Sequence, residues 1–390
     1  MKSIAERGTT RIVVAGGGTG GHVFPGVAVV EAMEAMGTPV ECLWIGTGRP
    51  VERQALERTG WKYRVLKVRP LLGSRASTVL LALGGLPLYT AQAMRWLHQF
   101  RPNVVLGVGG YVSGPVILAA RLLNVPAAIH EQNLVPGLAN RMASRACGTV
   151  FVSFKGTLAH FSGKRVVVTG NPVRKAILDQ ARRETAGNGR AKKLLILGGS
   201  QGARNLNTLT HSAARLLWES GVGIEVMHQS GPQDLEHLRT AYDAAGIPAR
   251  VFPFIQDMAG AYSWADLVVC RAGAGTVAEL TAMGKPAIFI PYPSSAGGHQ
   301  ENNARELSQA GAALYFLESE IGAVRLASEI QGLLEAPERL AAMSKNSRRL
   351  ARAEAAEDIA CMLMRLAGKE CSRITGNADL WKGSELKTHV

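Results

Sequence analysis

A glycine-rich phrase after a short apolar run occurs twice in this chain, and that repetition constrains the fold more than any other feature. Residues 12–15 lead into Gly16-Gly17-Gly18-Thr19-Gly20-Gly21-His22, and residues 194–197 lead into Gly198-Gly199-Ser200-Gln201-Gly202. A helical pattern follows each phrase, so the order strand, tight loop, helix appears twice. Such a turn aims backbone N–H groups and the positive end of a helix dipole at one point, an arrangement suited to phosphate. Two of them imply two nucleotide-binding-type α/β domains facing across a cleft, where a phosphorylated donor meets an acceptor.

Other segments extend the pattern. Apolar runs at 40–45, 104–108 and 127–130 read as strands of the first half, and those at 224–227, 250–252, 267–270 and 287–290 as strands of the second. Helical segments separate them, which predicts doubly wound parallel sheets. Pro25 is placed in the first turn of a helix that Gly37 closes. The length of 390 residues accommodates about two to three domains of ~100–200 residues. The expected division is 8–170, 171–345, a helix over 346–368 that packs back on the first domain, and a polar, loosely ordered tail over 369–390.

The net charge of +14 attracts nucleic acid, anionic head groups or phosphorylated substrates. With aromatics at 6% and no nucleic-acid-binding signature, nucleic acid is the weakest of the three. Five dispersed cysteines, Cys42, Cys147, Cys270, Cys361 and Cys371, argue against a disulfide framework or zinc site and fit a reducing compartment. Residues 1–11 lack an apolar signal region, and the most apolar stretch, 79–89, falls short of the ~20 residues of a spanning helix. A soluble or peripheral protein is expected. Arg69, Arg75, Arg95 and Arg101 flank the apolar segment 80–94, which reads either as a basic-rimmed membrane patch or as a buried helix with solvated ends.

Gly16, Gly18 and Gly21 match the spacing of a dinucleotide loop, but the second strand ends Trp44-Ile45-Gly46-Thr47 without the acidic residue a bound NAD ribose requires. No Gly-Lys-Ser/Thr ending marks a Walker loop. His22 stands after the first loop, where an imidazole could take a proton near neutral pH or simply pack the turn. The phrase from Arg271 to Glu279, RAGAGTVAE, follows a strand and opens a helix. Thr276 and Glu279 have capping-box spacing, and Glu279 equally suits ribose hydroxyls. A third glycine turn, Gly109-Gly110-Tyr111, also follows a strand.

Seven phrases in this order resemble one family: GGGTGGHVFP from Gly16, GVGGYVSGP from Gly107, HEQNLVPGLANR from His130, GNPVR from Gly170, GGSQGARNLN from Gly198, CRAGAGTVAE from Cys270 and HQENNA from His299. They are similar to the MurG family, the UDP-N-acetylglucosamine transferases that convert lipid I into lipid II in bacterial peptidoglycan synthesis, and the resemblance runs over about 11–367. It implies a GT-B glycosyltransferase of family 28 with two Rossmann-like domains, the second binding UDP-GlcNAc and the first receiving the lipid-linked acceptor. By position in the matching motifs, Ser200 and Arg174 lie near the diphosphate and Ile255 flanks the uracil. Ala274, Gly275, Thr276, Val277, Ala278 and Glu279 hold phosphates and ribose, and Gln300 contacts the sugar. Thr19, Gly20, Gly21 and Asn133 line the cleft from the first domain, with Tyr111 on the acceptor side. His22 is the candidate base and Glu131 the lower-ranked one.

The implied reaction is a single inverting displacement by the muramyl 4-hydroxyl. No Asp-x-Asp phrase stands in a cleft position, so no tightly held metal is implied, although free Mg²⁺ could assist. Implied partners are UDP-GlcNAc, lipid I, an anionic membrane surface and other cell-wall synthesis proteins, at the cytoplasmic face of the bacterial inner membrane. Two departures stand out: residues 294–298, SSAGG, replace a loop that often carries acidic residues in the family, and the tail beyond Gly368 has no family counterpart. A GT-B enzyme acting on another lipid, such as diacylglycerol, and a nucleotide-sugar-binding scaffold without catalysis are the rival readings.

Overall fold

The computed structural model describes residues 8–57, 59–68, 76–183, 192–199, 202–371 and 379–381. The chain forms two compact units: one runs through Arg174 and resumes at Arg352, and the other spans Lys175–Ala351. The helix α14 (Ala355–Leu366) therefore belongs to the unit that runs through Arg174.

In the first unit the strands are β1 (Thr10–Ala15), β2 (Val40–Gly46), β3 (Lys62–Val65), β4 (Val104–Gly107), β5 (Ala127–Glu131), β6 (Thr149–Val152) and β7 (Arg165–Val168). All seven are parallel, in the order β7-β6-β5-β4-β1-β2-β3. Its helices are α1 (Gly20–Ala35), α2 (Pro50–Leu56), α3 (Ala76–Phe100), α4 (Ser113–Leu122), α5 (Leu138–Ala143) and, after the second unit, α14 (Ala355–Leu366).

The central strand β1 shows why its sequence is an unbroken apolar run. Ile12 and Val14 pack with Val23, Val27 and Val30 of α1 and with Ile359 and Leu363 of α14. Val13 and Ala15 belong to the opposite core, with Ala93 and Leu97 of α3 and Val116 and Ile117 of α4. A parallel strand covered on both faces has no polar side to present. Each large aliphatic side chain buried this way contributes about 1.5–3 kcal/mol.

The second unit repeats the plan. After α6 (Lys175–Arg183) come β8 (Lys192–Leu197), α7 (Arg204–Glu219), β9 (Ile224–Gln229), α8 (Leu235–Ala244), β10 (Ala249–Phe252), α9 (Met258–Trp264), β11 (Leu267–Cys270), α10 (Ala274–Met283), β12 (Ala287–Phe289), α11 (His299–Gln309), β13 (Ala313–Tyr315), α12 (Ala323–Leu334) and α13 (Pro337–Leu350). Its sheet is also parallel, ordered β10-β9-β8-β11-β12-β13. In both units the strand order reverses beside the first strand, between β1 and β4 and between β8 and β11. Loops leaving the carboxyl ends of strands at such a reversal diverge to opposite faces and leave a crevice for ligands. Each glycine phrase sits at one of these points.

Several expectations require correction. The helix expected over 346–368 is two helices: the chain leaves α13 at Ala351, whose ψ of 138° is extended, and restarts at Ala355. Met343 and Ser347 of α13 are buried in the second unit, with the Ser347 hydroxyl 3.4 Å from the Leu280 carbonyl, whereas α14 packs on α1. Two apolar faces serving different cores explain the break. Helix α1 starts at Gly20, one turn earlier than expected, so Pro25 lies inside it rather than in its first turn.

The cysteine reading also changes. Cys361 and Cys371 form a disulfide, with Cα atoms 5.6 Å apart, while Cys42, Cys147 and Cys270 are buried thiols. The pair was invisible as spacing because it depends on the chain reversing beyond α14, where Gly368 adopts a φ of +72°. In the tail, Asp379–Trp381 adds an antiparallel strand, β14, to the edge at β7. The rest of the tail beyond Cys371 lies outside the described residues.

Two buried imidazoles make stability depend on pH. His130 Nε2 lies 3.1 Å from the Gly170 carbonyl and its Nδ1 3.2 Å from Gln132 Nε2, and His228 bridges Tyr242 and Asn207 at 3.0 and 3.1 Å. Each is satisfied as a neutral ring, and burial pushes His130 down to about 4 and His228 to about 3 from an ordinary 6.5. A depressed folded value means that the stabilisation is complete above 6.5 and is lost as pH falls toward the folded value, because the unfolded rings take up protons first. Thermal scans from about pH 7.5 to about pH 4.5 should show a falling Tm, each ring accounting for on the order of 1–3 kcal/mol. A Tm that does not move over that range would refute this assignment.

Candidate active site

At the reversal in the first unit, the loop after β1 meets the turn after β4. Ser113 Oγ donates to the Ala15 carbonyl at 2.7 Å and accepts from Gly109 N at 3.0 Å, tying the two loops together. Gln132, at the end of β5, donates to the Val108 carbonyl at 2.8 Å. Gly109 has a φ of +98°, and a Cβ there would stand 2.7 Å from the His22 ring. Only glycine permits this approach, which explains the third glycine turn.

His22 occupies the first turn of α1, a helix whose N-terminus has no side-chain cap. Its Nδ1 is 3.2 Å from the Gly17 carbonyl and 3.4 Å from Thr19 Oγ1. A carbonyl only accepts, so Nδ1 carries the hydrogen and Nε2 is the nitrogen able to take a proton. Thr19 and Gly21 are exposed, and Gly20, His22, Tyr111 and Asn133 are half-buried around the same strand ends.

Glu131 has a different environment. Its carboxylate is buried and accepts from Asn133 N at 2.9 Å, Asn133 Nδ2 at 3.2 Å, Gly137 N at 3.1 Å and Asn140 Nδ2 at 2.9 Å. Burial pushes its carboxyl above the ordinary range, against the pull of these donors. Both oxygens hold the loop that carries Asn133. Arg174 ends the first unit, with its guanidinium 4.5 Å over the Phe24 ring of α1.

At the reversal in the second unit, the Gly198 phrase follows β8 and the Arg271 phrase follows β11. Ser200 lies outside the described residues. Gln229, at the end of β9, donates to the Gly199 carbonyl at 3.1 Å and accepts from Ile255 N at 2.9 Å, joining the glycine loop to the loop bearing Ile255. Arg271 is locked by Glu318 at 2.5 Å and by the Ile290 and Pro291 carbonyls at 2.9 and 3.0 Å. Asn205 donates to the other Glu318 oxygen at 2.6 Å.

The capping box expected at Thr276 and Glu279 is absent. Gly273 is the N-cap of α10, with no side-chain cap, and Glu279 lies in its second turn, accepting from the Tyr262 hydroxyl at 2.9 Å. The N-cap stands three residues before Thr276 because Gly273, with ψ of 139°, already makes the turn out of β11. Ala274 and Val277 are buried, while Gly275, Thr276, Ala278 and Glu279 remain partly accessible. Gln300 accepts from Tyr292 N at 2.9 Å. Among the described residues, no group of three or more His, Cys, Asp or Glu side chains is placed to hold a metal ion.

The two units match two family models: the glycosyltransferase family 28 N-terminal domain over residues 12–152 and the family 28 C-terminal domain over 193–359. The transferase of Syntrophus aciditrophicus (strain SB) named UDP-N-acetylglucosamine--N-acetylmuramyl-(pentapeptide) pyrophosphoryl-undecaprenol N-acetylglucosamine transferase is 42% identical over 91% of this chain and 99% of its own length. The chain belongs to the MurG family of family 28 glycosyltransferases.

A Geobacter sulfurreducens transferase of the same name is 40% identical over 92% of this chain and 100% of its own. The crystal structure of Acinetobacter baumannii MurG superposes with a TM-score of 0.72 at 32% identity, covering 91% of this chain and 99% of that one. The two-unit parallel architecture is thus the GT-B fold of the MurG family, as the seven phrases implied.

Four side chains that organise these loops carried no signal in the glycine phrases: Glu52, Gln229, Tyr262 and Glu318. Gln229 was the most accessible to sequence reasoning, since it ends an apolar run just where strand ends gather ligands.

Gly21 separates fold from ligand as the reason for its glycine. A Cβ added there meets only Thr19 Oγ1, at 3.8 Å, and the backbone needs no left-handed conformation. In a helix, alanine exceeds glycine by about 1 kcal/mol in propensity. Gly21→Ala should therefore keep or raise Tm, and, if Gly21 faces the acceptor as the family resemblance implies, it should raise the acceptor KM. A drop in Tm with an unchanged KM would make the glycine structural instead.

Proposed function

We propose that the chain transfers N-acetylglucosamine from UDP-N-acetylglucosamine to the muramyl 4-hydroxyl of lipid I, with inversion, giving lipid II. The carrying observation is that each glycine loop of this MurG-family chain sits at the strand-order reversal of its own unit. The donor belongs to the second unit. Ile255 flanks the uracil there, Glu279 accepts from ribose hydroxyls while Tyr262 orients it, and the N-terminus of α10 with residues 274–278 receives the diphosphate. Ser200 and Arg174 are assigned to the diphosphate, and Gln300 to the sugar. The acceptor belongs to the first unit, at Thr19, Gly20, Gly21, Tyr111 and Asn133.

In this mechanism His22 Nε2 takes the proton of the muramyl hydroxyl as its oxygen attacks the anomeric carbon. The bond from that carbon to the diphosphate oxygen breaks on the opposite face, so the new linkage is β and UDP departs with the bonding pair. Charge grows on the leaving diphosphate, where backbone N–H groups at a helix N-terminus are worth most. We assign no resident metal to this scheme, with free Mg²⁺ as an accessory counter-ion to UDP. Mass analysis of products from UDP-N-acetylglucosamine and lipid I should show lipid I gaining one N-acetylhexosamine, with free UDP competing for the donor site. Transfer to diacylglycerol but not lipid I, or UDP binding without turnover, would replace this reading with one of its rivals.

A membrane surface completes the proposal, because the acceptor is a lipid. Among the described residues, no helix is long and apolar enough to cross a membrane. Arg69 and Arg75 of the expected basic rim lie outside the described residues, as do the side chains of Leu80, Leu81 and Leu83. Leu86 is half-buried. The large exposed apolar residues described in the first unit instead extend over neighbouring helices: Leu88 on α3 at 74%, Leu122 on α4 at 56%, and Leu138 and Met142 on α5. Arg95, Arg121, Arg141 and Arg145 are exposed on or beside the same helices. We assign this face to the anionic cytoplasmic leaflet of the inner membrane, where other wall-synthesis proteins also work. Vesicle co-sedimentation should rise with anionic lipid and fall with salt, since screening acts over ~8–10 Å at ~0.10–0.15 M. Leu88→Gln with Leu122→Gln should weaken it without changing UDP affinity. Equal binding to neutral and anionic vesicles would remove the electrostatic part.

A further inference from the structure

The buried carboxylate of Glu52 lies outside the machinery described above, yet it is hydrogen-bonded to the peptide that holds His22. Glu52 stands in the first turn of α2 with no exposed surface. Its Oε1 accepts from Gly18 N at 2.7 Å and from the Thr47 hydroxyl. Its Oε2 accepts from Thr47 N at 2.7 Å, Gly48 N at 3.0 Å and the Tyr63 hydroxyl at 2.7 Å. Three partners are backbone N–H groups that can only donate, and the two hydroxyls can donate as well, a set that suits the ionised form. Burial opposes ionisation, but the hydrogen bonds from Thr47, Gly18, Tyr63 and Gly48 outweigh it and hold the carboxyl below its ordinary value.

The Gly18 N–H and the Gly17 carbonyl belong to one peptide group. Glu52 grips the first, and His22 Nδ1 lies 3.2 Å from the second. The atoms form a line: carboxylate, peptide N–H, peptide carbonyl, imidazole Nδ1–H. A carboxylate at one end draws the peptide hydrogen and shifts electron density to the carbonyl oxygen, strengthening it as an acceptor. In a serine-protease triad a carboxylate touches the imidazole directly, fixing its tautomer and stabilising the imidazolium. Here the same pull passes through one peptide. Arg49, beside α2, donates to the next carbonyl, Gly18 O, at 3.0 Å, so both ends of that short backbone segment are held from the α2 side.

We propose that Glu52 is a positioning residue for the transfer reaction, acting through the Gly17–Gly18 peptide to hold the His22 Nδ1–H tautomer and to stabilise the imidazolium formed when Nε2 takes the acceptor proton. The proposal rests on His22 being the base in the proposed function. It gives α2 a role beyond packing: its first turn brings a negative charge to bear on the base without placing a carboxylate in the acceptor's path.

A double-mutant cycle tests it on the full chain. Turnover of UDP-N-acetylglucosamine with lipid I is measured for the wild type, His22→Ala, Glu52→Gln and the double variant, alongside UDP affinity by calorimetry and Tm. Glu52→Gln should lower kcat about 10–10²-fold, part of the ~10²–10⁴-fold that a general base supplies, with UDP affinity retained. In the His22→Ala background the same substitution should have no further effect on kcat, because its target is gone. An equal loss in both backgrounds overturns the proposal and leaves Glu52 a loop tie, while the function stands. Near-normal turnover of His22→Ala overturns the base assignment and this proposal together. If Glu52→Gln does not fold, nitrogen-15 NMR of histidine-labelled wild-type protein decides: neutral His22 should carry its hydrogen on Nδ1, and a hydrogen on Nε2 would overturn the proposal.

Discussion

Everything at the candidate site depends on the reversal of strand order beside the first strand of each sheet. A parallel sheet needs a crossover helix between neighbouring strands, and crossovers of one hand place helices on one face or the other according to the direction of travel. Where that direction changes, two adjacent loops part and backbone N–H groups are left facing a crevice. The chain meets this condition at β1/β4 and again at β8/β11. Glycine gathers at these points because loops, helix termini and side chains approach too closely for a Cβ, as Gly109 does beside His22.

The two crevices are rigidified by different polar means. In the first unit, Ser113, Gln132 and Glu52 join separate loops and Glu131 braces the one that follows its own strand, so loop geometry is set by buried side chains with fixed partners. In the second, Gln229 and the Arg271–Glu318 pair do the same. Buried charges of this kind add little net stability, since desolvation offsets attraction. What they supply is a single geometry, and breaking one partner leaves an unpaired charge behind.

Much of the fold was legible because a two-faced parallel sheet writes its strands as continuous apolar runs, and loops at the reversals need glycine. The strands at 12–15, 194–197 and 267–270 were readable on that ground alone. The short strands β3, β6, β7 and β13 were not, and in β3 the reason is plain: it alternates exposed and half-buried residues at the sheet edge and so shows no apolar run. The capping box at Thr276 misled because helix starts depend on where the preceding turn ends, and Gly273 ends it earlier.

By itself the sequence determined the two-unit α/β plan, the seven phrases of the MurG family and the identity of His22 as the imidazole beside the first loop. Those follow from local spacing, which a linear chain records directly. Only the tertiary structure decided that Gly109 comes against the His22 ring and that Glu279 meets Tyr262, because those neighbours come from another strand end and another helix. It also decided that Glu131 is engaged in holding its loop, that Cys371 folds back on Cys361, and that the terminal helical stretch divides between two cores. Glu52 is the clearest case: 34 residues separate it from Gly18, and nothing in the intervening sequence records that the two are joined. Hydrogen bonds across parallel strands are set by sheet order, and sheet order exists only once the chain has folded.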